Sequence, residues 1–267
     1  MRDELLQILA TKEGYNVKLN TMREYLQAFI LRILFKEDFF QYVAFLGGTC
    51  LRFIFNTRRF SEDLDFSLVQ NDSSLNFEKT VGSLERELRN SGYGVRVKTK
   101  KNNLYSAMVR LPGLLYDAGM SGRREENLSI KIDLDTHPPK GAQTKAVVIN
   151  KYFMLGLTHY DLPTLLAGKL NAILTRTYTK GRDLYDLFWY LTTHKDLQPN
   201  LPFLKNALQQ FNWNSRGKPI EDWKSPVTEH IRNVDWPKIE QEVGLLLEDP
   251  SELKLFTKDN LLQLLSV

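Results

Sequence analysis

Residues 20 to 43 carry apolar side chains at helical spacing, with Met22, Tyr25, Leu26, Phe29, Ile30, Ile33 and Leu34 separated by charged positions. That period predicts an amphipathic helix leading to a short element that ends at Leu46. Gly47-Gly48 breaks the pattern, and Thr49 is placed to cap a short helix running through Leu51 to Phe55. A strand is expected from Leu64 to Val69, then a helix from Asn76 to Asn90 that stops at Ser91-Gly92.

Beyond Gly92 the pattern shortens to strands: Gly94 to Lys100, Tyr105 to Leu111 and Leu128 to Leu134. In the last, Ile130, Ile132 and Leu134 alternate with Lys131, Asp133 and Asp135. Such alternation marks a sheet with one face on a core and the other open to solvent or a cleft. His137-Pro138-Pro139 ends that strand, and Gly141 to Tyr152 reads as one more hairpin arm. Asp161-Leu162-Pro163 is a helix start; one helix is expected to about Thr177, and another from Arg182 to about Thr192 after Gly181. The remainder after Pro199 reads as helix and loop, with Trp213, Trp223 and Trp236. The expected architecture is α+β: an α/β core with N-terminal helices over 1–158, then a helical domain over 159–267.

Composition narrows the class. With 42% hydrophobic and 25% charged residues in 267, the chain reads as a globular protein of one large or two modest domains. No apolar run reaches the roughly 18 residues of a membrane span, and Arg32 interrupts the nearest candidate; no membrane partner is expected. The start, Met1-Arg2-Asp3-Glu4, has no signal-peptide core, so a cytoplasmic location is expected. The single cysteine, Cys50, excludes an internal disulfide and reads as a packed small hydrophobe. The net charge of +4, with Lys98, Lys100 and Lys101 clustered, allows a polyanionic partner such as RNA without requiring one. The four histidines show no metal-ligand spacing, and no Gly-x-x-x-x-Gly-Lys-Ser/Thr loop is present.

The candidate chemistry lies in Arg59-Phe60-Ser61-Glu62-Asp63-Leu64-Asp65-Phe66, a short step after Leu46-Gly47-Gly48-Thr49. Asp63 and Asp65 share a strand face, with Cα atoms roughly 6.7 Å apart. Hard oxygen ligands suit Mg²⁺, with Mn²⁺ as the alternative, completed by water and substrate phosphates. The glycine pair lets backbone amides approach a phosphate. Asp133 or Asp135 supplies a third carboxylate, of which Asp133 is better centred in its strand. A carboxylate there can hold a second metal or take a proton from an attacking hydroxyl. Ser61 is placed to orient Asp63. Arg58 and Arg59 leave two roles open, holding a substrate phosphate or pairing with the carboxylates.

Downstream, Lys169 and Arg176 lie two helical turns apart on one face, where two cations can meet a triphosphate or merely face solvent. Arg182 and Asp186 have the spacing of an i,i+4 surface ion pair, and Asp183 sits beside them.

These segments together resemble the nucleotidyltransferase signature of AbiEii/AbiGii-type toxins, a family that includes the MenT-type enzymes. The resemblance runs from Leu46-Gly47-Gly48-Thr49 through Arg59 to Phe66, and continues at Lys169-Leu170-Asn171-Ala172, Arg176 and Arg182-Asp183-Leu184-Tyr185-Asp186-Leu187. It covers residues 46 to about 190. It implies a polymerase-β-like nucleotidyltransferase core, a mixed sheet flanked by helices, with a helical C-terminal domain contributing to the nucleotide site. It also implies metal on Asp63 and Asp65 and a catalytic cation at Lys169, to which the strand position of Asp133 adds the expected third ligand. The resemblance puts Gly48, Thr49, Lys169 and Asp183 or Asp186 at the nucleotide, and with the residue reading the expected nucleotide-binding set is Gly47, Gly48, Thr49, Arg59, Ser61, Lys169, Arg176, Arg182, Asp183 and Asp186. The donor is then a nucleoside triphosphate, the acceptor a tRNA 3′ end in some members, and a cognate antitoxin protein the partner. Two other readings stay open: nucleotide transfer onto a protein, and a non-catalytic binding module of the same fold.

Overall fold

The structure, a computed structural model, describes residues 1–69, 75–102, 104–213 and 219–266. The chain divides into two compact units. The first comprises Met1–Asn56, Phe60–His137 and Lys145–His159; the second comprises Thr57–Arg59, Pro138–Thr144 and Tyr160–Val267.

The first unit is built on a mixed sheet. Its elements are α1 (Arg2–Ala10), α2 (Tyr15–Lys36), β1 (Val43–Leu46), α3 (Gly47–Ile54), β2 (Leu64–Leu68), α4 (Phe77–Asn90), β3 (Arg96–Lys101), β4 (Leu104–Pro112), α5 (Leu114–Asp117), β5 (Asn127–Asp135), β6 (Thr144–Lys151) and β7 (Phe153–Tyr160). Strand order is β3-β4-β5-β2-β1-β7-β6. β1 runs antiparallel to β2, whereas β2 with β5 and β1 with β7 are parallel.

Alternation decides which side of the sheet is covered. β4 turns Ala107, Val109 and Leu111 inward, and β5 does the same with Ile130, Ile132 and Leu134. Phe66 of β2 meets Phe39 and Phe45 with ring centroids 5.2 and 5.3 Å apart. Burying each such side chain contributes about 1.5–3 kcal/mol. The helix α2 is covered along most of its length, with Tyr25, Leu26, Ile30 and Leu31 fully buried. The intervening positions Lys131, Asp133 and Asp135 stay half-exposed on the other face of the sheet.

Several expectations need correction. The first amphipathic pattern forms a helix that starts at Tyr15 and ends at Lys36; Phe39–Gln41 is a separate 3₁₀ turn. Arg2–Ala10 is an additional helix that buries Leu5 and Leu9. Thr49 does not cap the next helix, because α3 already begins at Gly47 and Thr49 lies inside it. The hairpin arm expected over 141–152 forms as β6; after a turn at Tyr152 with φ of 59°, an additional strand, β7, extends the sheet beside β1.

The second unit is helical: α6 (Leu162–Thr175), α7 (Gly181–Thr193), α8 (Leu201–Gln210), α9 (Lys224–Arg232), α10 (Trp236–Gly244) and α11 (Lys258–Ser266). The Asp161 side chain accepts from Thr164 N at 3.0 Å and so starts α6, as the Asp-Leu-Pro signal predicts. Phe256 anchors the interior, with its ring 4.9 Å from Trp236 and 5.4 Å from Tyr185. The helix-and-loop stretch expected after Pro199 includes residues 214–218, which lie outside the described residues. Among the described residues no helix is long and apolar enough to cross a membrane.

Candidate active site

Strand register gathers the first unit's carboxylates. Asp65 on β2 is the direct partner of Asp133 on β5, and Asp133 in turn faces Ser106 on β4. Asp63 lies one residue before β2, two positions from Asp65, in the spacing that returns to the same face. Asp133 is held at both oxygens. Ser106 Oγ donates to Oδ1 at 2.7 Å, and Lys131 Nζ donates to Oδ2 at 2.6 Å. That hydrogen bond, with attraction from Asp133, Asp63 and Asp65, outweighs burial and raises the Lys131 pKa above its ordinary value. Lys131 is therefore a counter-charge within this cluster. Its signal in the sequence was the two-residue spacing that places it on the face of Asp133.

The glycine turn braces the pair rather than standing apart from it. Gly47 has φ of +79°, and a Cβ built there would overlap Asp65 Oδ2. Only glycine allows that backbone to approach the carboxylate so closely without strain. Thr49 is fully buried, and its hydroxyl donates to the Asp63 carbonyl, fixing the backbone just before β2. Ser61 is largely buried, and its carbonyl accepts from Gln27 Nε2 at 3.0 Å. Cys50 is fully buried, and burial, aided by Asp65, pushes its thiol well above the ordinary value. It packs as the hydrophobe the sequence suggests.

Among the described residues no group of three or more His, Cys, Asp or Glu side chains is closed up in metal-binding geometry. The chemistry of the donors nevertheless fits a hard divalent cation: they are carboxylates, and an ammonium already occupies a position against one of them.

In the second unit, the other sequence-predicted residues converge on two aspartates of α7. Arg59 Nε and Nη2 donate to Asp186 Oδ1 and Oδ2, each at 2.6 Å, and both side chains are completely buried. Lys169 Nζ bridges the pair, 3.0 Å from Asp183 Oδ1 and 2.6 Å from Asp186 Oδ2. Arg176, which caps the end of α6, closes on Asp183 Oδ2. Burial works to raise the Asp183 pKa, but Lys169, Arg176 and Arg59 outweigh it and hold the carboxyl below its ordinary range.

Two expectations change here. Asp186 is not a surface partner of Arg182; it faces inward to Arg59 and Lys169. Lys169 and Arg176 do share a face, and what they meet on it is Asp183. Arg58 pairs with Glu252 at 2.9 Å, and Arg182 lies half-exposed on α7.

A family model defines the class: the protein is a nucleotidyltransferase. A family model described as "Nucleotidyl transferase AbiEii toxin, Type IV TA system" matches residues 29–258, and the chain belongs to that family. Membership implies a nucleoside triphosphate substrate and a partner antitoxin. Among solved structures, MenT4, a nucleotidyltransferase toxin from Mycobacterium tuberculosis H37Rv, aligns with 100% of this chain and 89% of its own at 16% identity and a TM-score of 0.61. JHP933 from Helicobacter pylori aligns with 90% of this chain and 88% of its own at 17% identity and a TM-score of 0.51. At these identities the likeness bears on the fold. No curated protein matches the chain in sequence.

Proposed function

We propose that this protein moves a nucleoside monophosphate from a nucleoside triphosphate onto the 3′-terminal hydroxyl of an RNA, most simply a tRNA. The acceptor oxygen bonds to the α-phosphorus, the bond from that phosphorus to the bridging oxygen breaks, and pyrophosphate leaves. The observation that carries this reading is the pairing of Asp65 with Asp133 on adjacent strands, with Asp63 two residues from Asp65.

Asp63, Asp65 and Asp133 would hold Mg²⁺ or Mn²⁺, which supplies positive charge to the transferring phosphate when bound. Asp133 would offer the oxygen that Lys131 holds, while Ser106 keeps the carboxylate oriented. Asp133 also accepts the proton released by the attacking hydroxyl. Gly47 and Gly48 bring backbone amides to the phosphates, Thr49 fixes the Asp63 backbone, and Ser61 secures the approach to it.

In the second unit Lys169 is the cation assigned to the nucleotide phosphates. Asp183 and Asp186 set its position, and Arg59 holds Asp186 in place. Arg176 and Arg182 supply further positive charge to the triphosphate. The location follows the substrate: an enzyme acting on tRNA works in the cytoplasm.

Incubation with α-labelled and γ-labelled nucleoside triphosphates, RNA and protein tests the reading. Label is expected in RNA from the α position only. Transfer from the γ position would indicate a kinase-type reaction, label in protein would identify a protein acceptor, and no transfer would leave a binding module.

A further inference from the structure

The half-exposed face that carries the carboxylates continues to the edge of the sheet, and its charge changes sign on the way. Register defines three rows across it. Asp65, Asp133, Ser106 and Lys100 form one, Lys131, Met108 and Lys98 the next, and Ser129, Arg110 and Arg96 the third. Side chains of one row lie on one face, because cross-strand partners point the same way. The opposite face is the buried one, occupied by Ala107, Val109 and Leu111. Arg96, Lys98, Lys100 and Arg110 are all exposed, and none forms a salt bridge among the described residues.

Two details separate this strip from ordinary edge protection. Lysines on a terminal strand commonly discourage edge-to-edge pairing, but Arg110 lies on the inner strand β4, directly opposite Arg96. Like charges directly opposite across an antiparallel pair destabilise the sheet, so the arrangement favours a face that meets an anion. Lys101, which alternation sends to the other side, is instead paired with Glu78 at 3.1 Å and sits over the Tyr105 ring. Among the described residues of β3 and β4, the cations without a salt bridge are confined to the carboxylate face.

We propose that Arg96, Lys98, Lys100 and Arg110 form a track for the phosphodiester backbone of the acceptor RNA. Alternate residues along β3 repeat at roughly 6.7 Å, and the track leads along Lys100 and Ser106 to Asp133. The inference rests on the reading that RNA is the acceptor. Its chemistry is phosphate recognition without base readout, so binding is sequence-tolerant and salt-dependent.

The test uses the full chain with total tRNA and with a short labelled single-stranded RNA. Two variants, Lys98→Gln/Lys100→Gln and Arg96→Gln/Arg110→Gln, each remove a pair of cations from an exposed surface; Lys101→Gln is the control. Each lost phosphate contact is expected to flatten the dependence of log K on log salt by about 0.7. Each double variant is therefore expected to flatten it by roughly 1.4. KM for RNA rises while KM for the nucleotide and kcat hold, and Lys101→Gln changes none of these. Wild-type transfer to RNA with unchanged salt slopes and RNA KM in both double variants would overturn the track alone. Wild-type label entering protein and not RNA would overturn the acceptor reading and the track with it.

Discussion

Asp65 of β2 and Asp133 of β5 are direct partners across a parallel strand pair, although 68 positions separate them in the sequence. Two like charges side by side need a counter-cation, and Lys131 provides one at 2.6 Å from Asp133. Replacing Asp65 with Asn removes the carboxylate's charge while keeping the side chain's shape. Transfer is expected to fall by at least about a hundredfold, with the melting temperature unchanged or slightly raised. Label transfer and a thermal melt on the same preparation check this.

Under the proposed metal role of Asp133, Lys131 would compete with a divalent ion for that carboxylate. Lys131→Gln is expected to lower stability without metal, since the repulsion between the carboxylates then loses that counter-charge. It is also expected to enlarge the stabilisation by added Mg²⁺ or Mn²⁺. Melting curves with and without each ion measure both effects. A metal-induced shift equal to that of the wild type would show that Lys131 does not compete.

Gly47→Ala tests the turn. A side chain in left-handed backbone costs roughly 1–2 kcal/mol, and here the new Cβ would also collide with the Asp65 carboxylate. Both stability and transfer are expected to fall, the latter by more than the lost stability explains. Denaturant titration and kcat at matched folded fractions separate the two.

The second unit's stability depends on Arg59 and Asp186. Removing one partner of a buried ion pair leaves an uncompensated charge and costs about 3–5 kcal/mol. Arg59→Ala leaves Asp186 with Lys169 and is expected to lose part of that, whereas Arg59→Met with Asp186→Leu recovers most of it but not activity. Chemical denaturation of the single and double variants distinguishes these outcomes.

Asp183 gives the pH dependence a sign. Its folded-state pKa is lowered, so its stabilisation is fully present above the ordinary carboxylate value of about 3.9 and is lost as pH falls through the depressed value. Asp183→Asn is expected to lower stability at neutral pH and to flatten the acid limb of the stability curve. Denaturation followed from neutral to strongly acidic pH checks both parts.

What the sequence revealed depended on whether the signal was local. The α6 start, the α4 span and the alternation on β5 are carried by neighbouring residues, and each was legible. The parallel pairing of β2 with β5 joins distant segments, so no local pattern could announce it. β7 escaped because Phe-Met-Leu-Gly-Leu-Thr-His-Tyr does not alternate cleanly, being covered more heavily at one end than the other. Lys131 shares the face of Asp133 by alternation, yet the sequence neighbours Arg58 and Arg59 stood nearer the acidic run as its expected counter-charge. Arg59 stood beside the acidic run in sequence, but its partner is Asp186, 127 positions away.

The central claim is that Asp63, Asp65 and Asp133 support nucleotidyl transfer to RNA. The most direct measurement incubates wild type, Asp65→Asn and Asp133→Asn with each α-labelled nucleoside triphosphate, divalent metal and total tRNA. Label is expected at the tRNA 3′ end with the wild type and in neither variant. Equal labelling by Asp65→Asn, or wild-type label confined to protein, would contradict the account.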